Sequence, residues 1–175
     1  MKAAVLTNPG APLMLVEGIA VPPLRPAQVL VRIAFSGVCH SQVMEARGRR
    51  GADNWLPHML GHEATGRVVE TGEAVTKVKP GDLVVLSWIK GAGGEAGGCQ
   101  YRHGGETINA GGVTTFSDIA VISENRLTLL PDGVPLDVGV LFGCALPTGA
   151  GLVLRELQPR PGASLAIFGV GGIGM

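Results

Sequence analysis

Short apolar runs separated by turn residues recur along this chain, and in one of them apolar and polar positions alternate with a period of two. That run is residues 28–36, where Val29, Val31, Ile33 and Phe35 share one face and Leu30, Arg32 and Ala34 the other. That periodicity predicts a β-strand with Phe35 on the inward face. Residues 2–6 and 13–20 read as shorter strands around an Asn8-Pro9-Gly10 turn, and Pro22, Pro23 and Pro26 make an extended link. Residues 66–70 and 83–87 are apolar strands flanking a loop that ends in the turn signal Pro80-Gly81-Asp82. Residues 115–122 and 126–130 read as further strands. Helical spacing is rarer. Residues 41–46 predict a helix with Ser41 near its cap, 135–141 a short one, and 147–157 a longer one with Leu152, Val153, Leu154 and Leu157 on its apolar side. Residues 158–162, which hold Pro159, Pro161 and Gly162, end it. Residues 164–168 read as a buried-type strand. Residues 90–112 carry Gly91, Gly93, Gly94, Gly97, Gly98, Gly104, Gly105, Gly111 and Gly112 with little apolar content, which predicts a surface lobe or long loop.

Composition narrows the class. The 175 residues are 46% apolar and 16% charged, enough to bury one sizeable core. Basic and acidic residues balance at 14 each, with no basic tract, so neither nucleic acid nor an anionic membrane is an expected partner. No apolar run is long enough to span a membrane, and the apolar stretch within residues 1–9 is too short for a signal peptide, so the expected location is cytoplasmic. Three widely spaced cysteines then read as ligands or free thiols.

Three separated motifs carry the chemistry. Cys39 lies in Gly37-Val38-Cys39-His40-Ser41, His62 in Gly61-His62-Glu63, and Cys144 in the run from Gly143 to Gly149. Two thiolates and an imidazole are three of the four ligands of a tetrahedral zinc, and a set with one open corner is the catalytic arrangement. Alone, a cysteine is more often a small buried hydrophobe, and a histidine a hydrogen-bonded core residue. The chain reaches Met175 just after Gly169-Val170-Gly171-Gly172-Ile173-Gly174, a dinucleotide fingerprint preceded by the strand it requires. A cofactor domain needs more strands than this, so the reading is a catalytic domain represented up to the start of its partner domain.

The stretch Gly61-His62-Glu63-Ala64-Thr65-Gly66, with Gly72 and Val75, resembles the zinc signature of the medium-chain, zinc-dependent alcohol dehydrogenases. The motifs at Cys39 and Gly143-Cys144 fit that family's other two ligand positions. The likeness runs over residues 1–175, weakest at 88–113. It implies a mainly β fold with some α, a GroES-like, partly open β-barrel over 1–147, followed by a connecting helix and the first strand of an incomplete Rossmann NAD(P)-binding domain over 148–175. It implies hydride transfer between a small alcohol or aldehyde and NAD(P), with one catalytic zinc on Cys39, His62 and Cys144. Ser41 would carry away the alcohol proton, or serve as a helix cap, or both. Glu63 would approach or orient the metal from behind, against the plainer reading of a surface ion pair. His40 would contact the cofactor pyrophosphate or stand in solvent, and Gly169, Gly171, Gly172 and Gly174 would cradle the dinucleotide. Trp55 and Trp88 would line the alcohol pocket or pack in the core. Full-length relatives imply a homo-oligomer, and the 175-residue chain alone is expected not to turn over. The alternative is a non-catalytic GroES-like module that binds zinc or a partner; a zinc-free, quinone-reductase-like relative is disfavoured by the Cys39, His62 and Cys144 set.

Gln42 stands where the family usually places an aspartate against the ligand imidazole, which predicts a less basic His62 and weaker metal affinity, with the amide oxygen as acceptor. Met44 replaces the last histidine of a proton relay. Many relatives hold a structural zinc on four cysteines after the strand at 83–87; here only Cys99 remains, so no structural zinc is expected, with Cys99 a surface thiol and His103 a solvated loop residue. Asn54, His58 and Tyr101 carry no motif.

Overall fold

In the computed structural model, which describes residues 1–175, ten strands form two five-stranded sheets. The first contains β1 (Ala3–Leu6), β2 (Met14–Val16), β4 (His58–Met59), β7 (Cys99–His103) and β8 (Glu106–Ala110), in the order β2-β1-β4-β8-β7. The second contains β3 (Gln28–Ser36), β5 (Glu63–Thr71), β6 (Leu83–Ser87), β9 (Ile119–Ser123) and β10 (Leu127–Leu129), in the order β10-β6-β5-β3-β9. All pairings are antiparallel except β4 with β8. The segment before β9 joins the sheets: Ala3 bridges Ser117, and Ala4 N–H donates to Phe116 O at 2.8 Å. This is the mainly β, GroES-like barrel that the resemblance implied.

Each sheet buries one face. Val29, Val31, Ala64, Val68, Val84, Leu86, Ile122 and Leu127 belong to the second sheet's core cluster. Each of the Val, Leu and Ile side chains among them stabilises the fold by about 1.5–3 kcal/mol when fully buried. Alternation along β3 holds through Val31 but not to its end. The β3–β5 register slips between Ile33 and Phe35, leaving Ala34 as a bulge. One extra residue flips every later side chain to the other face, so Phe35 points outward, 48% exposed, and Ser36 turns in.

Residues 90–112 overturn the loop expectation. They contain the β7–β8 hairpin, turning at the exposed pair Gly104 and Gly105. Cys99, Tyr101, Ile108 and Ala110 alternate into the first sheet's core. Tyr101 is fully buried, and its hydroxyl accepts the Val121 N–H at 2.9 Å. Cys99 is a buried core thiol, not a surface one, because its place on the inward face of β7 removes it from water. His103 is exposed as expected, but it ends strand β7 and does not lie in a loop.

The helices follow the barrel. α1 spans His40–Ala46, α2 Leu136–Gly139 leads into a 3-10 turn at Val140–Gly143, and α3 (Ala145–Gly151) continues as a π-helical stretch at Leu152–Leu157. The connecting helix expected from residue 148 thus starts at Ala145. Leu152, Leu154 and Leu157 are exposed, not buried on an apolar side. The strand expected at 164–168 makes no ladder. A parallel-type strand takes its hydrogen bonds from neighbouring strands, and none lies beside it.

The loops over the second sheet are pinned by Glu124, which is 2% exposed. Its Oε1 accepts the N–H groups of Thr76 and Lys77 at 2.6 Å, and Oε2 that of Gly94 at 2.7 Å. Burial alone would raise this carboxyl's pKa, but the amides of Gly94, Thr76 and Lys77 together outweigh it and hold the group below its ordinary 4.5. A lowered native pKa adds stability at pH above the unfolded value, lost as pH falls below about 4.5. Glu124→Gln should therefore destabilise the fold by about 1.5–3 kcal/mol at pH 7 in chemical denaturation. The difference from wild type should shrink progressively as the pH drops below that point.

Candidate metal centre

Cys39, His62 and Cys144 arrive from three unrelated places. β3 ends at Ser36, and Gly37 N–H donates to Glu63 O at 3.1 Å, which ties the exit of β3 to the entry of β5. Cys39 then caps α1 in an extended conformation (φ −89°, ψ 148°) without a side-chain cap bond. The cap position thus belongs to Cys39, and Ser41, expected there, is the second helical residue and half-buried. His62 sits between β4 and β5. Cys144 lies between the 3-10 turn and α3, where Ser87 Oγ donates to Gly143 O at 2.7 Å and Thr148 N–H to Cys144 O at 3.0 Å.

The ligand atoms of Cys39, His62 and Cys144 all lie within 4.8 Å of one another. Cys144 is buried and the other two are half-buried. His62 Nδ1 lies 3.1 Å from Gln42 Nε2, while His62 Nε2 is buried with no hydrogen-bond partner. A buried ring nitrogen left without a partner beside two thiols carries a cost unless something at the site satisfies it. Two sulfurs and one nitrogen suit a borderline-soft tetrahedral ion such as zinc, with one corner open.

The electrostatics agree. Burial lowers the His62 pKa against the raising influence of Glu45, and burial raises that of the Cys144 thiol, with Cys39 and Glu63 adding to the rise against the Thr148 hydroxyl. Burial also raises the Glu63 carboxyl against the lowering effect of the Ala145 N–H. All three groups are thus pushed toward their uncharged forms, and a cation in their midst would reverse the push on the thiol and the carboxyl.

Glu63 is not a surface ion-pair residue. It is 5% exposed, with Oε2 buried and unpartnered. A Cβ on Gly37 would fall 2.6 Å from Glu63 Cδ, and one on Gly143 2.7 Å from Glu63 Cβ and 2.5 Å from Leu86 O. Glycine at these two positions is what lets the Cys39 and Cys144 segments close over Glu63. His40 is exposed. Gly169, Gly171 and Gly172 are exposed and Gly174 half-buried in one turn, with Gly174 N–H bonded to Gly171 O at 3.0 Å and the Ile173 carbonyl packed against Gly149 of α3.

A cavity of about 730 Å³ reaches His62 from the Gln42 side; neither Cys39 nor Cys144 lines it. Trp55 lines it, 67% exposed, whereas Trp88 does not and is 50% exposed, so neither tryptophan packs in the core. His58, also on its wall, is a residue that sequence reasoning missed: buried, with Nε2 2.7 Å from Asp53 Oδ2 and Nδ1 3.0 Å from Met59 O. Only the Asp53-to-His58 spacing hinted at that pair.

Residues 25–132 match the family model of the alcohol dehydrogenase GroES-like domain. The chain is 34% identical over 203 aligned positions to an S-(hydroxymethyl)glutathione dehydrogenase of Photobacterium damsela subsp. piscicida, covering 99% of this chain and 53% of that protein. The same enzyme of Escherichia coli O1:K1 matches at 34% with the same coverage. Among solved structures, an alcohol dehydrogenase zinc-binding domain protein from Burkholderia ambifaria superposes with a TM-score of 0.85 at 28% identity, over 99% of this chain and 53% of that one. Benzyl alcohol dehydrogenase from Acinetobacter calcoaceticus gives 0.82 at 26% identity, over 99% and 52%. The chain thus spans about half the length of these relatives.

Gly143→Ala should force Cys144 away from Glu63 and the end of β6. The expected result is a loss of about 1–3 kcal/mol of stability in thermal denaturation. Faster reaction of Cys144 with an aromatic disulfide reagent should accompany it.

Proposed function

This chain belongs to the alcohol dehydrogenase family through its GroES-like domain, and from that premise we propose that it provides the catalytic, metal-bearing portion of a zinc- and NAD(P)-dependent alcohol dehydrogenase acting on small alcohols or aldehydes. The observation that carries the proposal is the buried, partnerless Nε2 of His62 within a group whose ligand atoms lie within 4.8 Å of one another. Cys39, His62 and Cys144 would hold the ion. When bound, zinc supplies Lewis-acid polarisation of the substrate oxygen at the open corner.

The chain's own residues take the remaining roles. Ser41, two residues beyond Cys39, offers a hydroxyl to receive the proton that the alcohol gives up. Glu63, packed against Gly37 and Gly143, holds a buried carboxyl that would balance the ion's charge and keep the two cysteine segments in place. His40, exposed at the start of α1, would meet a cofactor phosphate, and Gly169, Gly171, Gly172 and Gly174 would offer backbone to a dinucleotide. A single zinc site is proposed, since the third cysteine, Cys99, is buried in the first sheet's core.

Elemental analysis of chelator-washed protein tests the assignment. About one zinc per chain is expected, as for a three-ligand catalytic site. Cys144→Ser and His62→Ala should each remove it while the far-ultraviolet circular dichroism stays that of the wild type. Full zinc retention by either variant would show that the ligands lie elsewhere.

A further inference from the structure

We propose that Gln42 holds His62 in the proton tautomer that opposes metal binding, so that this residue sets how weakly the centre keeps its metal. The inference rests on the metal-centre reading above, and deepens it. The orientation of the Gln42 amide is fixed by a partner that cannot be reversed: the backbone N–H of Gly61 donates to Gln42 Oε1. The other end of the amide, Nε2, therefore faces His62 Nδ1 at 3.1 Å. An amide NH2 only donates, so Nδ1 must accept. In the neutral ring the single proton then sits on Nε2.

Nε2 is also the nitrogen left without any partner and the one free to ligate. A nitrogen that carries the proton cannot ligate. For Nε2 to bind a metal, the proton has to move to Nδ1, where it meets the Gln42 NH2 donor against donor. Two rearrangements relieve the conflict. The amide can turn over and leave Gly61 N–H facing a donor, or Oε1 can shift to serve both N–H groups while the NH2 swings away. The cavity of about 730 Å³ that Gln42 and His62 both line gives the amide room for either motion. The metal-bound state is therefore reachable but carries a penalty that an acceptor at position 42 would not impose. Gln42 is 8% exposed, so bulk water does little to soften it.

Gln42 acts through His62 and is a positioning residue; its test reads proton position as well as affinity. Long-range nitrogen–proton NMR on the metal-free wild-type chain should show the His62 proton on Nε2, and Gln42→Glu should move it to Nδ1. Competition against a chelator with zinc alone should show Gln42→Glu binding at least about tenfold more tightly than wild type, the scale of relieving one unpaired buried donor. Gln42→Met removes the NH2 without adding charge and should bind zinc no more weakly than wild type. Weaker binding by Gln42→Met, or a wild-type ring protonated on Nδ1 before any metal is added, overturns the proposal. Failure of all three chains to bind zinc would instead overturn the metal-centre reading, and this inference with it; the spectrum, which needs no metal, tells the two failures apart.

Discussion

The backbone of Glu63 is where the arms of the candidate centre meet. Its carbonyl accepts Gly37 N–H at 3.1 Å, and Ser36 Oγ and Thr115 Oγ1 at 3.2 Å each. Those bonds bind the end of β3, which leads to Cys39, to the start of β5, which follows His62. The third arm arrives from the other side, with Gly143 packed on the Cα and Cβ of Glu63 and its carbonyl held by Ser87. Three candidate ligands distant in sequence therefore converge because three chain segments share one strand entry. Moving that strand by one residue would move all of them.

Convergence carries an electrostatic penalty. Desolvation drives His62, Cys144 and Glu63 toward neutrality, and leaves His62 Nε2 and Glu63 Oε2 buried without partners. A fold selected for stability alone would not leave two buried polar atoms without partners. Such exceptions are expected at functional sites, where strain persists because a ligand resolves it. Gln42 adds a further tension, since its amide answers the Gly61 N–H and meets the imidazole with a donor.

Much of the barrel was legible in sequence. The period-two run of β3, the continuous apolar run of β6 and the turn at Pro80 to Asp82 specify their elements locally, because alternation and short apolar runs bounded by turns are each strand patterns. The failures have separate physical causes. Phe35 was placed inward because alternation assumes an unbroken register, and the bulge at Ala34 is a property of the β3–β5 pair. The β7–β8 hairpin was missed because the nine glycines of residues 90–112 mask its four inward residues, although Cys99, Tyr101, Ile108 and Ala110 keep a period of two. Residues 164–168 have the composition of a strand, yet a strand exists only with a neighbour to bond.

The sequence by itself determined the family, the three candidate ligands and the mainly β class, because motif chemistry and side-chain periodicity are written residue by residue. Only the tertiary structure decided that Glu63 is buried, that Cys39 and not Ser41 takes the cap position, and which end of the Gln42 amide meets His62. Each of those depends on where a distant backbone group falls: Gly143 over Glu63, Gly61 N–H against the amide oxygen. The facing of a donor or an acceptor across a packed interface has no local signature, since it is set by strand register and loop closure among segments far apart in the chain.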